Sequence, residues 1–170
     1  ETSTDVEKKN FMRDAKEAEI VLQGVYRSTI EDGQYGYHLS ILFNLGTDME
    51  QAEGNSTENY RIIPANAFPT TQSEVQTTWS SLYAGVYNAN DFLERISSKI
   101  NTYSDTDRQL ATLYIAEARA LRAMFYFELV RRYGNIALMT NTEMSKQDPR
   151  TFVQVKHIEK SRKNFKHTLD

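Results

Sequence analysis

The chain has 170 residues, with 20 lysines and arginines against 23 acidic residues, and its formal net charge of −3 gives no electrostatic footprint of a nucleic-acid-binding protein. It contains no cysteine, which excludes disulfide frameworks, thiolate zinc sites and cysteine nucleophiles. With 7 glycines, 3 prolines and 39% apolar residues, the composition argues against a turn-rich β protein and a disordered chain, and favours one helical domain or a fragment of a larger one.

The first predicted element is an amphipathic helix within residues 1–31. Apolar side chains recur there at steps of three and four, the period of one helix face, and Gly33 follows its end. The first residues carry neither the basic nor the apolar segment of a signal peptide, and no later apolar run approaches the length of a membrane span. We therefore expect a soluble chain from which any export signal has been removed.

Residues 32–78 are predicted to form a long irregular loop region. They contain two of the three prolines and most of the glycines, and they show no sustained hydrophobic period. A loop of that length in a compact domain is usually functional or mobile. The region is therefore the first place to look for a binding site.

The second predicted helix covers residues 79–100 and begins at Trp79. Its apolar side chains fall on one stripe, in which Asn90 is the polar exception. An amide inside an apolar stripe must find hydrogen-bond partners, because burying it without them is costly. We expect Asn90 to be a structural residue that ties the helix to a neighbouring backbone.

The third predicted helix covers residues 105–133 and is ended by Gly134. It is apolar on nearly every side, so we expect a central helix covered by others. Charges on such a helix need partners. Glu128 can reach Arg131 and Arg132 along its own helix, whereas Glu117 needs a partner from another helix, and we interpret these charges as structural rather than catalytic.

A last helix is predicted within residues 143–170, after the start signal Asp148-Pro149. The segment carries a net charge of +3 and a ragged apolar pattern, as a solvated helix face would. We expect this tail helix to be truncated.

The sequence contains no motif for catalysis, for a cofactor or for a metal. His38, His157 and His167 are scattered, and no glycine-rich phosphate loop or nucleophile elbow is present. An acidic loop from Asp48 to Asn55 could hold calcium through oxygen ligands, but its spacing differs from that of an EF-hand, so a solvated loop is favoured. We predict no enzyme, no cofactor and no metal site.

Aromatic and amide side chains are interleaved in the loop region, outside any helical period. Sugars offer flat C–H faces that stack on aromatic rings and hydroxyls that pair with amide and charged groups, so this composition suits a glycan site better than a site for an apolar ligand. The alternative is that these aromatics pack onto the helices. The candidate ligand-binding residues are Tyr37, Asn55, Tyr60, Arg61, Asn66 and Phe68.

The segment AEARALRAMFYFELVRRYGNIAL, residues 116–138, resembles the hallmark of the SusD/RagB family of surface glycan-binding lipoproteins of Bacteroidetes. The segment WSSLYAGVYNANDFLERI, residues 79–96, is similar to the tryptophan, tyrosine and Ala-Asn segment of that family, and residues 42–48 and 148–150 add weaker matches. Two features depart from it: Ala137 replaces a proline, and the tail reads HIEKSRKNFKHTLD. The positions that carry the hallmark, which we interpret as structural, are Trp79, Asn90, Glu117, Arg119, Arg122 and Gly134.

The resemblance implies an all-α fold, a helical bundle with tetratricopeptide-like helix pairs and a long irregular loop insertion, corresponding to the N-terminal portion of a longer family member. It also implies a non-catalytic outer-membrane protein that binds an oligosaccharide or polysaccharide and delivers it to a SusC-like TonB-dependent transporter. Such a protein is attached to the membrane only through a lipid anchor, on a cysteine that is not in this chain.

Two other interpretations stay open. A helical-repeat scaffold could bind a protein or peptide partner through a groove between helices. Alternatively, this portion has no binding activity by itself, because the rest of the protein supplies half of the site.

Overall fold

The computed structural model describes residues 11–45, 47, 50, 63 and 71–144. Throughout this part of the chain the regular structure is helical and no strand occurs, which confirms the all-α prediction. Within it, no helix combines the length and apolar character needed to cross a bilayer. The main helices are α1 (Ala15–Ser28), α2 (Ser73–Lys99) and α3 (Asp105–Tyr133).

Shorter helical turns join these helices. Two π-helical turns, Asp32–Gly36 and His38–Leu42, follow α1, and a 3-10 turn, Ile100–Thr102, precedes α3. The chain divides into two compact units: a larger unit, Glu1–Tyr26 with Gly85–Asp170, and a smaller unit, Arg27–Ala84.

The predictions of the loop region and of the start of the second helix need correction here. The predicted loop region 32–78 contains the two π-helical turns and the first turns of α2, which begins at Ser73 and not at Trp79. Residues 73–78 are almost all polar, so they show no hydrophobic period, although Glu74 suits the first turn of a helix. The predicted tail helix 143–170 lies almost wholly outside the described residues.

Helix α3 has the bounds that the sequence predicts, and both ends are capped. The Ser104 hydroxyl accepts a hydrogen bond from the Asp107 N–H at 3.2 Å, which satisfies a backbone donor at the start of the helix. At the other end Gly134 has a φ of 71°, a left-handed conformation that glycine adopts without strain, and its N–H donates to the Val130 carbonyl.

Helices α2 and α3 pack closely in the core of the larger unit at Gly85 and Phe125. A Cβ added to Gly85 would lie 2.8 Å from the ring of Phe125, a side chain that is itself fully buried, so only glycine allows this approach. Other apolar side chains of α3 are less buried than the apolar character of the helix suggests. The exposed fractions of Leu110, Leu113 and Phe127 are 41%, 54% and 48%. The expectation of cover on nearly every side therefore fails at these positions.

The charged residues of α3 have the structural partners that the sequence requires. Glu128 is buried and pairs with Arg132 four residues along, with Arg131 at 3.9 Å. Glu117 accepts a hydrogen bond from the Tyr26 hydroxyl of α1 at 2.9 Å. Both findings agree with the interpretation that these carboxylates hold the fold together.

The segment that follows α3 is held against the helices by side-chain hydrogen bonds. Asn90 is fully buried and donates to the Met139 carbonyl at 2.9 Å, which confirms the predicted tie to a neighbouring backbone. The Tyr126 hydroxyl donates to the same carbonyl and accepts from the Met139 N–H, both at 2.7 Å. The Glu94 carboxylate accepts from the Thr142 N–H and hydroxyl, each at 2.7 Å.

Candidate functional site

Of the six predicted ligand-binding residues, only Tyr37 lies in the part of the chain that the structure describes. It belongs to the smaller unit, where the two π-helical turns Asp32–Gly36 and His38–Leu42 follow one another directly. We refer to residues 32–42 as the double turn. The other five predicted residues lie outside the described residues: Asn55, Tyr60, Arg61, Asn66 and Phe68.

Two buried side chains attach the double turn to helix α2. The amide nitrogen of Gln34, a fully buried residue, donates to the Ser81 carbonyl at 2.8 Å. The Nδ1 atom of His38, which is 7% exposed, lies 2.7 Å from the Thr78 hydroxyl. Buried hydrogen bonds of this kind favour one arrangement of the backbone, although the side-chain oxygen of Gln34 is buried without a hydrogen-bond partner among the described residues.

Two glycines permit the tight path of this backbone. A Cβ on Gly33 would lie 2.8 Å from the Cβ of Ser81, so only glycine lets the turn approach α2 so closely. A Cβ on Gly36 would lie 2.4 Å from the Ile30 carbonyl oxygen and 2.9 Å from that of Glu31. The compact shape of the double turn therefore depends on both positions.

The double turn presents aromatic side chains to solvent. Tyr35 is 39% exposed and Tyr37 is 38% exposed, and Ile41 on the second turn is 49% exposed. The ring of Tyr37 meets the buried His38 ring edge-on, with centroids 5.6 Å apart. Partly exposed rings on a fixed backbone are suited to noncovalent stacking against a ligand.

Burial favours the neutral form of His38. Burial lowers its pKa below the usual 6.5, and the carboxylates of Glu74 and Asp32 oppose that shift only in part. A neutral imidazole can exchange a hydrogen bond with Thr78 in either tautomer. His38 therefore serves as a structural support beneath the tyrosines.

The described residues offer no metal centre, since they contain no group of three or more histidine, cysteine, aspartate or glutamate side chains placed to share an ion. Their arrangement can bind a ligand by stacking and hydrogen bonding.

Of the hallmark positions of the larger unit, Asn90 and Arg122 are buried, Glu117 and Arg119 are half-buried, and Gly134 is exposed. Arg122 donates to the Asn90 amide oxygen at 2.8 Å, Glu117 accepts from Tyr26, and Gly134 ends α3. Of the other two, Trp79 in the smaller unit packs against the Tyr83 ring with centroids 4.9 Å apart, and Arg119 is half-buried on α3.

Sequence reasoning missed Gln34 and Thr78, the residues that anchor the double turn. A buried glutamine in a polar segment gives no periodic signal, and the partner of each anchor is 40 or more positions away.

The sequence matches the SusD-like family model described as "Starch-binding associating with outer membrane" over residues 3–169. The chain belongs to the SusD-like family. A crystal structure of a SusD homolog from Bacteroides thetaiotaomicron is similar with a TM-score of 0.90 and 63% identity, over 99% of this chain and 31% of that chain. The predicted SusD/RagB resemblance is thereby confirmed.

Two curated relatives of the family come from Formosa agariphila. SusD-like protein P38 is 31% identical over 114 residues, which is 61% of this chain and 21% of that protein. SusD-like protein P25 is 26% identical over 133 residues, which is 75% of this chain and 24% of that protein. The chain thus spans less than a third of each of these SusD-like relatives.

Proposed function

We propose that the protein is a non-catalytic glycan-binding component of a polysaccharide-utilisation system. It is surface-exposed at the outer membrane, held there by a lipid anchor, and it delivers oligosaccharides to a SusC-like TonB-dependent transporter. Membership in a family described as starch-binding and associated with the outer membrane supports this proposal.

The observation that carries the proposal is the anchored double turn. Tyr35 and Tyr37 are exposed on a backbone that Gln34 and His38 fix to α2. Because the backbone is already ordered, a sugar that stacks on these rings binds without the entropic cost of ordering that backbone. The double turn is therefore the glycan site that we propose within the described residues.

A non-catalytic role agrees with the partners of the carboxylates. Glu128 pairs with Arg132 and Asp91 pairs with Arg95. A glycoside hydrolase needs two carboxyl groups facing one another across the scissile bond.

Affinity electrophoresis of the full-length protein tests the proposal. Gels contain amylose, dextran, galactomannan, xyloglucan, polygalacturonate or alginate, and migration is compared with that in a gel without polysaccharide. We expect retardation by at least one polysaccharide without release of reducing ends. Unchanged migration of the folded protein in all six gels would contradict the proposal.

The transporter partnership needs a separate experiment. The protein, tagged in its native host, is purified from detergent-solubilised outer membranes, and copurifying proteins are identified by mass spectrometry. We expect a TonB-dependent transporter in stoichiometric amount. Its absence from a purification that retains other outer-membrane complexes would remove this part of the proposal.

A second candidate is the tetratricopeptide-like scaffold, which the exposed apolar residues of α3 favour. Leu110 and Leu113 are three positions apart, so they lie on neighbouring parts of one helix face, and both are more than 40% exposed. Such a face can accept an apolar segment of a protein. If Leu113→Asp abolished copurification of a soluble protein and left glycan retardation unchanged, the scaffold function would be supported.

A further inference from the structure

We infer that the double-turn site selects uncharged glycans and excludes polyanionic ones, such as polyuronates and sulfated polysaccharides. This inference rests on the glycan-binding function proposed above for the same site. It adds the chemical class of the ligand, which we infer from the charge distribution around the tyrosines.

The smaller unit is strongly acidic. Residues 27–84 contain two arginines and seven acidic residues, a net charge of −5, although the whole chain carries only −3. No lysine or arginine occurs from residue 28 to residue 60, a stretch with six acidic residues. The remainder of the chain is therefore net positive, and the acidity is concentrated in the unit that carries the double turn.

Two of these carboxylates lie only a few positions before the exposed tyrosines in the sequence. Glu31 and Asp32 are both exposed at the start of the double turn. The Glu31 carbonyl accepts from the Gly36 N–H at 3.2 Å, and the Asp32 carbonyl accepts from the Tyr37 N–H. The tight turn thus brings residues 31–32 beside Tyr35 and Tyr37.

Among the described residues of the smaller unit, Arg27 is the only lysine or arginine. Arg27 lies at the end of α1, where its carbonyl accepts from the Ile30 N–H at 3.1 Å. His38 contributes no charge at neutral pH, because burial lowers its pKa. Glu74, whose carboxylate acts on the same imidazole, adds a further negative charge.

A polyanion that stacked on the tyrosines would bring its own charges toward these exposed carboxylates, and physiological salt, whose Debye length is about 8 Å, screens repulsion at shorter separations only in part. Juxtaposed like charges suppress the wrong partner in molecular recognition. An uncharged sugar incurs no such repulsion and keeps the full stacking contact. The site therefore discriminates by charge.

Matched polysaccharides test this inference on the full-length protein. Amylose, dextran, galactomannan and xyloglucan are each compared with their carboxymethyl derivatives, which differ mainly in carrying carboxylates, and polygalacturonate and alginate serve as natural polyanions. We expect the neutral form of the retained polysaccharide to bind about tenfold or more tightly than its derivative at 50 mM salt. The preference should shrink as salt is raised to 500 mM.

A pair of double variants separates a local effect from net charge. Glu31→Gln/Asp32→Asn removes the carboxylate just before the double turn and the one on its first residue. Glu19→Gln/Asp105→Asn removes two exposed carboxylates of the larger unit and changes the net charge equally. We expect the first variant to reduce the neutral-to-anionic affinity ratio at least threefold and the second to leave that ratio unchanged.

The outcomes distinguish this inference from the proposed function. Equal or tighter binding of the carboxymethyl derivative, or binding of polygalacturonate or alginate alone, would overturn the charge selection and leave glycan binding standing. An equal fall of the ratio in both double variants would overturn the local origin of the effect. Failure to bind any of these polysaccharides would overturn the proposed function, and the inference with it.

Discussion

The Asn90 side-chain oxygen accepts a hydrogen bond from the Arg122 guanidinium at 2.8 Å, with both residues buried. The Asn90 nitrogen donates at the same time to the Met139 carbonyl. One amide thereby joins helix α2, helix α3 and the segment after α3. Burial lowers the pKa of Arg122, so its charge depends on such neutral acceptors for compensation.

Asn90→Ala should therefore destabilise the protein by about 2–4 kcal/mol, because it leaves a buried guanidinium and a buried carbonyl with fewer partners. Urea denaturation followed by circular dichroism measures the change. The control Asn101→Ala removes an exposed amide and should change the stability by less than about 0.5 kcal/mol. Equal effects of the two substitutions would contradict the inference that Asn90 holds α2, α3 and the segment after α3 together.

Gly85→Ala should lower the free energy of unfolding by about 1–3 kcal/mol, because the added methyl group overpacks the buried contact with Phe125. Gly24→Ala is the matched control: it also lies in a helix, and its added Cβ would meet nothing within 4 Å. There the better helix propensity of alanine should stabilise by about 0.5–1 kcal/mol. Thermal unfolding of both variants measures the two effects, and the same sign at both positions would contradict the close packing.

The stability of the protein should fall as the pH is lowered from 7.5 to 5, partly through His38. Its pKa is lowered in the folded protein, so the unfolded chain gains a proton near pH 6.5 that the folded chain resists. This loss of stability is absent above pH 7.5 and grows as the pH falls toward the lowered pKa of His38 in the folded protein. His38→Gln should flatten this part of the stability profile, measured by urea denaturation at each pH, and an unchanged slope would contradict the neutral state of His38.

The sequence predicts helix α3 well, because both of its end signals are local: Ser104 precedes two aspartates and Gly134 follows two arginines and a tyrosine. The structural role of Asn90 is also predictable, since a polar residue inside an apolar stripe must have partners. The start of α2 is missed because Ser73 opens a polar turn without hydrophobic period. The double turn is missed because Gln34 and His38 find their partners on a helix far along the chain.

The candidate site stays a prediction, because of its six predicted residues only Tyr37 lies in the described part of the chain. The interleaving of aromatic and amide residues indicates a glycan surface, and Tyr37 is exposed as that interpretation requires. The choice of Tyr35 as its companion depends on the backbone path, which Gly33 and Gly36 set through contacts that no local pattern shows.

Isothermal titration of the full-length protein with the oligosaccharide of the retained polysaccharide tests whether the glycan binds at the double turn. Tyr35→Ala/Tyr37→Ala is compared with Tyr87→Ala, which removes a tyrosine that is 39% exposed on α2 in the larger unit. We predict that the double variant binds at least about tenfold more weakly, as the loss of stacked aromatic contacts would cause, while Tyr87→Ala keeps wild-type affinity. Wild-type affinity in a folded Tyr35→Ala/Tyr37→Ala protein would contradict the placement of the glycan site on the double turn.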